Sequence, residues 1–369
     1  MSFEIVSYFD IRISNLVAAR GRARESVVSN FLIGLRLCLV SGLILSMASI
    51  QSTVIDMLHH VFPQHANPAG TLYGGWMMNW IVTAGNLAAS RLTRKPLLLA
   101  SIEDLFFIQP VRIGDVVTVK AMVEYVGKTS LEVETMVFCK PLHEEENLCT
   151  RARMSFVSSD VRGKPVPIEQ QIEPADEKEM KIYRYAKEIR EGRLARIAQR
   201  RQKVQDTNLE DIGQLSLRVY RLVFPEDAIY GNLMYGGKLL LILDEIMAIM
   251  AMKFAKGAIV TASLDALDFY HPIYVGNILV LATSLNYVGR SSMEIGVKVL
   301  AEDPINNTVH HACTAFSTCV KVDEHGRPRL LTPFTPMTDV EKKRWAEAEQ
   351  RKQHRMQRLK ELMNSFNLR

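Results

Sequence analysis

The sequence predicts an α+β fold. Two tandem copies of one domain, each a long central helix wrapped by an antiparallel sheet, pack together as a pseudo-dimer. An internal repeat is the first observation behind this. "YGGWMMNW" (Tyr73–Trp80) returns as "YGGKLLLI" (Tyr235–Ile242). "ASIEDLFFIQPVRIGD" (Ala100–Asp115) returns as "ASLDALDFYHPIYVGN" (Ala262–Asn277), and "YVGKTSLEV" (Tyr125–Val133) as "YVGRSSMEI" (Tyr287–Ile295). The spacing is 162 residues at Gly75 and Gly237, at Pro110 and Pro272, and at Ser130 and Ser292, so no insertion separates the copies. Two copies of about 110 residues are too few and too long for a solenoid, and indicate a fused homodimer. Size and composition are the second observation. A chain of 369 residues has room for two ordinary domains, and 48% hydrophobic with 23% charged residues is a globular composition.

Each copy repeats one order of elements. An alternating segment comes first, Thr53–Phe62 in the first copy, followed by a loop ending in Gly-Gly. An apolar helix follows, Trp76 to about Leu92 and Lys238 to about Lys256. Its apolar residues lie all round, which marks a central helix and not a surface one. Four strand-like segments complete the copy: Leu97–Phe107, Val116–Val126, Ser130–Lys140 and Cys149–Ser158 in the first. Pro110 with Gly114, and Pro272 with Gly276, punctuate the first connections. Gly127-Lys128 and Gly289-Arg290 make hairpin turns. One helix wrapped by such a sheet is the hotdog arrangement.

The expected organisation is an N-terminal extension (1–49), a first hotdog domain (50–160), a charged helical linker (161–209), a second hotdog domain (210–325) and a charged C-terminal helix (326–369). Phe31–Ser46 is apolar, but it is shorter than the ~20 residues of a spanning helix and Arg36 interrupts it. The extension therefore reads as a leader ahead of a start at Met47, a targeting segment, an anchor or an added helix, and membrane association stays open. Glu173–Lys203 and Pro336–Met363 read as solvated packing helices. Thr338 and Glu341 have the spacing of a capping box, and Met356, Leu359, Met363 and Phe366 recur at helical spacing. A net charge of +5 is too small to argue for nucleic acid and suits a small anion. Cys38, Cys139, Cys149, Cys313 and Cys319 form no CxxC pair and read as buried, reduced thiols of an intracellular protein, cytoplasmic unless residues 1–46 direct it to an organelle or membrane.

The motifs "HANPAGTLYGG" (His65–Gly75), "ILDEIMAIMAMKFAKGAIVTASLDALDFYHPIYVGN" (Ile242–Asn277) and "GRSSMEI", with the repeated "ASIEDLFFIQPVRIGD", resemble the double-hotdog acyl-CoA thioester hydrolases. That group includes the brain-type cytosolic enzyme and single-hotdog bacterial relatives. The likeness spans roughly residues 50 to 365. It implies hydrolysis of acyl-CoA to fatty acid and CoA at a site between the halves, no cofactor and no metal, and a homo-oligomer of three double hotdogs. The outer faces, with Phe106, Phe107, Phe269 and Tyr270, are the expected contacts of that assembly. The resemblance puts the catalytic pair on Asn67, in the loop of one half, and Asp244, on the central helix of the other. At the repeat spacing Asn67 maps onto Ile229 and Asp244 onto Val82, so only one of the two pseudo-equivalent sites holds the pair.

Such a site suits thioester chemistry. A buried carboxylate in an apolar helix is costly unless it is paired or used. Asp244 would act as general base on water, or attack the thioester itself. Gly74 and Gly75, at a helix start, would offer N–H groups to the thioester oxygen. Asn67 both donates and accepts, so it can orient water. Simpler readings stand beside these: Gly-Gly as tight packing, Asp244 as a paired structural carboxylate, Asn67 as a loop former. Glu245, one helical step on, faces solvent or a cation. Lys128, Ser130, Arg290, Ser291 and Ser292 are either solvated turn residues or, as the resemblance implies, contacts for CoA phosphates. His59, His60 and His65 lack the acidic partners of a metal site. Two rival functions remain, a non-hydrolytic acyl-CoA-binding module and a hotdog dehydratase. The dehydratase wants a His beside an acid near the helix start, where this loop has Asn67, Pro68, Ala69 and Gly70.

Overall fold

A computed structural model describes residues 47–141, 145–204, 207, 209 and 215–367. The expected extension lies, up to residue 46, outside the described residues. In chain order the first half contains β1 (Met47–Ala48), β2 (Ile55–His60), α1 (Gly74–Thr93), β3 (Leu97–Ile102), β4 (Leu105–Phe106), β5 (Val116–Val126), β6 (Ser130–Lys140), β7 (Asn147–Ser158), β8 (Gln171–Ile172) and α2 (Glu177–Val204). The second contains β9 (Ser216–Leu222), β10 (Ala228–Ile229), β11 (Leu233–Met234), α3 (Gly236–Ala255), β12 (Ile259–Leu264), β13 (Leu267–Asp268), β14 (Ile278–Val288), β15 (Ser292–Asp303), β16 (Thr308–Lys321) and α4 (Asp339–Asn367).

Each half is a hotdog. Its sheet runs antiparallel, β3-β7-β6-β5-β2 in the first and β12-β16-β15-β14-β9 in the second. The halves exchange their shortest strands. β4 pairs with β12 through Leu105–Leu264 and Phe106–Ser263, and β13 pairs with β3 through Leu267–Ile102 and Asp268–Ser101. Each sheet therefore ends on a strand of the other half, which covers an edge that would otherwise be open. α1 and α3 pack against one another inside the two sheets. Met78, Ile81 and Val82 on α1, and Leu240, Leu243 and Met247 on α3, are fully buried. Gly75 makes that contact possible, because a Cβ there would lie 2.8 Å from Leu241 Cδ1 and 3.0 Å from its Cα.

α2 and α4 occupy equivalent places at the repeat spacing, and both begin with carboxylate caps. Glu341 Oε2 accepts the Met337 and Thr338 N–H groups, and the Glu341 N–H donates to Thr338 Oγ1 at 3.2 Å. Glu179 caps α2 by accepting the Ala175 N–H, and it also accepts the Ile50 N–H. The helices are locked to their sheets by arginine. Arg193 grips Glu132 through two hydrogen bonds of 2.6 and 2.8 Å. Its repeat mate Arg355 holds Glu294 at 2.8 Å and Asp265 at 2.7 Å. The sequence predicts solvated packing helices; they do pack, and the buried face is a line of arginines reaching acids on the sheets. Met356 and Met363, expected as an apolar stripe, are exposed, and Arg355 and Ala348 face inward.

Two further expectations are corrected. Cys139 and Cys149 are joined by a disulfide, with Cα atoms 6.0 Å apart across the β6–β7 hairpin, while Cys313 and Cys319 are free and buried. A separation of ten residues carries no motif, so only strand pairing brings these two together. Nor are the four aromatic residues on open outer faces. Phe106 is buried, and Phe107, Phe269 and Tyr270 are half-buried in clefts between the halves.

Candidate active site

The start of α1 meets the middle of α3 and the strand β12. Gly75 donates its N–H to Asp244 Oδ2 at 2.6 Å, and the Thr261 hydroxyl donates to Asp244 Oδ1 at 2.8 Å. Gly74 lies over the carboxylate; a Cβ there would sit 3.0 Å from Asp244 Oδ2 and 3.1 Å from Thr261 Cβ, so any larger residue would crowd this cluster. Asp244 is 1% exposed. Burial pushes its pKa up to about 6, against the pull of the Thr261 and Gly75 hydrogen bonds. A carboxylate with that pKa is ionised near neutral pH yet more basic than an exposed aspartate. Cys319 is no rival nucleophile: burial, with Asp244 nearby, pushes its thiol up to about 12.

A cleft of about 580 Å³ opens in front of this cluster. Asn67, Gly74 and Thr261 line it, with Phe107, Met77 and Val260 as apolar walls and Arg112 at its edge. Asp244 stands behind Gly74 and Thr261. Asn67 is built into its own loop. Its Oδ1 accepts the Ala69 and Thr71 N–H groups at 2.9 and 3.2 Å, and Nδ2 donates to Thr71 Oγ1 at 2.9 Å. Since an amide nitrogen has two protons, one stays available to the cleft. The Gly75 N–H is engaged by Asp244. The Gly74 N–H, the first of α1, has no partner within the helix. Glu245 is exposed.

The turn residues divide between two places. Ser292 pairs with Val320, which pairs with Val260, so Arg290, Ser291 and Ser292 lie about two strand spacings, roughly 10 Å, from the cleft wall. Ser130 pairs with Val157, which pairs with Leu98, so Lys128 and Ser130 belong to the opposite side of the molecule. Lys128 and Arg290 are exposed.

That opposite side carries a second, smaller cleft of about 160 Å³, lined by Leu98, Leu99, Leu233, Met234 and Gly236. It is the repeat image of the first. Val82 stands where Asp244 stands, Ile229 where Asn67 stands, and Leu99 where Thr261 stands. Thr261 is the site residue that motif reading passed over. The repeat carried the signal, "LLLASIE" against "IVTASLD", a polar residue replacing an apolar one in the same half as Asp244. Among the described residues, no cluster of three or more His, Cys, Asp or Glu side chains is placed to hold a metal ion. Likewise, no described helix is long and apolar enough to cross a membrane.

Comparison with known proteins agrees with this architecture. The thioesterase-superfamily profile matches twice, at residues 69–146 and 231–314, once in each half. The mouse protein named cytosolic acyl coenzyme A thioester hydrolase is 28% identical over 313 residues, covering 78% of this chain and 80% of that protein. Protein VdlD of Helicobacter pylori is 36% identical over 150 residues, covering 41% of this chain and 86% of its own length. A Bacillus subtilis protein named as an uncharacterized acyl-CoA thioester hydrolase, YkhA, is 37% identical over 119 residues, covering 32% of this chain and 69% of its own. With a hotdog and a profile match in each half, the chain belongs to the thioesterase superfamily, as a tandem double hotdog.

Proposed function

We propose that this protein hydrolyses acyl-CoA thioesters to a free acid and CoA at one site, the cleft that borders Asn67, Gly74 and Thr261. The observation that carries the reading is Asp244: a buried carboxylate with a raised pKa, held by donors from both halves, behind a cleft of ligand size. The names of the mouse and bacterial relatives supply the substrate class.

In this reading the thioester carbonyl lies over the start of α1. The Gly74 N–H and the positive end of the helix dipole stabilise the oxyanion that forms. Asn67 aims a water with its remaining N–H. Asp244 takes the proton from that water, with the Thr261 hydroxyl and the Gly75 N–H fixing the orientation of the carboxylate. The CoA thiolate leaves without a strong general acid. Arg112 at the cleft and Arg290 beside it supply cations for the phosphates, with Ser291 and Ser292 as hydrogen-bond partners. Lys128 and Ser130 would serve a second CoA at the smaller cleft, where no carboxylate is present for turnover. The exposed apolar edges, Leu58 and Phe62 on one side and Tyr220 and Phe224 on the other, suit association of chains, and the family resemblance suggests three.

The test is to incubate the protein with acyl-CoAs of graded chain length and titrate the free thiol. Release of thiol with acid production supports hydrolysis. Tight binding without release would replace this reading with the non-hydrolytic one.

A further inference from the structure

Two histidines stand beside the loop that carries Asn67. His59 lies on β2, with its ring stacked on Trp80 of α1 at 4.3 Å. His65 ends the short turn Pro63–His65 and meets the Trp76 and Trp80 rings at 5.0 and 5.2 Å. We propose that His65 is a positioning residue for Asn67, and that with His59 it clamps the 62–73 loop, closed while both imidazoles are neutral and opened by protons.

Hydrogen bonds define the clamp. His65 Nδ1 accepts the Phe62 N–H at 3.2 Å, so Nδ1 keeps its lone pair and the neutral ring carries its proton on Nε2. The His65 carbonyl accepts the Tyr73 N–H at 2.9 Å. One residue thus ties the start of the loop to the residue before Gly74, and it stands two positions before Asn67. A proton on Nδ1 would set two donors against each other. The ring must then leave Phe62, and the turn before Asn67 loses its cap. His59 opposes charge as well. Its Nε2 is buried with no hydrogen-bond partner among the described residues, so in the imidazolium form one proton there would lack an acceptor. Burial, then the charge a protonated His65 would carry, hold its pKa below the ordinary value. The neutral pair is the folded form, and its hold is lost as pH falls through the imidazole range. The other ionisable groups at this corner are engaged. The Asp115 carboxylate, at the start of β5, accepts the Arg112 N–H at 2.8 Å, and Asp56 and Lys120 face each other at 3.8 Å. His60 is exposed and meets the Phe62 ring edge-on.

The second half is the control. Arg221, Asp227, Lys238 and Ile242 stand at the repeat positions of His59, His65, Trp76 and Trp80. Asp227 Oδ2 accepts the Phe224 N–H at 3.0 Å, the same cap, and the Asp227 carbonyl accepts the Tyr235 N–H at 2.8 Å. Arg221 grips the Asp227 carboxylate at 2.7 and 2.8 Å. Burial works against the charge, yet the Arg221 hydrogen bonds hold Asp227 below the usual carboxylate range, so this cap stays ionised where imidazoles titrate. The fold accepts a fixed ion pair at this corner. The half that carries Asn67 has a titratable pair in its place.

The effect on turnover, though not the clamp itself, rests on the reading of Asn67 as a site residue, and the test separates the two. Amide hydrogen exchange of the full chain, corrected for the pH dependence of the intrinsic rate, compares residues 62–73 with their mates 224–235 at about pH 7.5 and about pH 5.5. Protection of 62–73 should fall about fivefold at the lower pH, the loss of one cap, while that of 224–235 stays constant. His59→Arg with His65→Asp, the pair of the second half, should abolish the fall. So should the milder His65→Asn, whose amide oxygen can accept from Phe62 and takes up no proton. Both variants should keep a larger share of their kcat at the lower pH than the parent, in which the clamp opens while Asp244 also titrates. Protection of 62–73 that is equal at both pH values in the parent, or a fall that persists in both variants, would overturn the proposal. Constant protection in the variants with no gain in retained kcat would overturn the role given to Asn67 and not the clamp.

Discussion

Replacing Asp244 by Asn separates what the carboxylate does from what its shape does. The amide has the same outline. Its oxygen can accept the Gly75 N–H now made at 2.6 Å, and its NH2 can donate to Thr261 Oγ1, a hydroxyl that both gives and takes hydrogen bonds. The fold should therefore survive. The charge is what disappears. In the native state the pKa is about 6, against an ordinary 3.8, so ionised Asp244 at neutral pH costs about 3 kcal/mol relative to its protonated form. The sign follows from proton binding. Between pH 3.8 and about 6 the folded state holds the proton more tightly than the unfolded one, so this contribution is present below pH 3.8 and lost as pH rises through 6. Asp244→Asn should equal or exceed the parent in stability at pH 7, by up to about 3 kcal/mol, and the gap should close towards pH 4.

Turnover should move the other way. Loss of a general base costs about 10²- to 10⁴-fold, and a fall of at least about tenfold is the minimum the reading allows. Thiol titration gives the rate, and urea unfolding at pH 7 and pH 4 gives the stability. Full turnover in a well-folded Asp244→Asn protein would refute the assignment. A large loss of stability at pH 7 would refute the account of the buried charge.

Four other outcomes are expected. In the parent, the hydrolysis rate should drop about tenfold per pH unit below about 6, the pKa of Asp244, and a profile flat to pH 4 would exclude this base. Asn67→Ala should lower turnover at least about tenfold, and combined with Asp244→Asn it should be barely worse than the worse single change, because the two act on one water. Arg193→Met should destabilise the chain by about 3–5 kcal/mol, since it strands the buried Glu132 carboxylate, and Glu132→Leu added to it should recover much of that loss in urea titrations. Light scattering at micromolar concentration should show about three chains of 41.7 kDa; a lone chain would rule out the trimer.

The fold was legible because a duplication repeats its own evidence. The spacing of 162 aligned helix with helix and turn with turn, and the ranges read for β5 and β6 are those observed. Exchange of β4 and β13 was not legible, because two-residue strands have no period and their pairing depends on the other half. The role of α2 and α4 was also missed. Arg193 and Arg355 are a repeat pair, but charge on a polar helix reads as solvation unless the acids on the outer sheet face are seen with it. Within the site, Asp244 stood out as a charge in an apolar run. Thr261 did not, since a threonine in a strand is ordinary. Nor could spacing reveal that Asp244 takes up the Gly75 N–H, leaving Gly74 as the donor with none of its helix to bond.

The duplicated parts and the single parts differ in what they do for the chain. Each half keeps the Gly-Gly start, the central helix, and the glutamate that an arginine of its outer helix holds; all of these concern packing, and packing is needed in both halves. Asp244, Thr261 and Asn67 occur once, opposite Val82, Leu99 and Ile229. In a symmetric homodimer every change falls on both sites, so two charged, buried carboxylates must be carried to have any. Fusion removes that constraint. At about 3 kcal/mol for each ionised carboxylate, dropping the second one restores a sizeable part of the 5–15 kcal/mol by which a typical domain is stable. Val82 adds to the shared core of α1 and α3 instead. On the reading of one catalytic site per chain, that balance accounts for the absence of a second carboxylate. A double variant with Val82→Asp and Leu99→Thr should lose stability at pH 7 in urea titrations and regain part of it on acidification, as the introduced carboxylate takes up its proton; equal stability at both pH values would refute the argument.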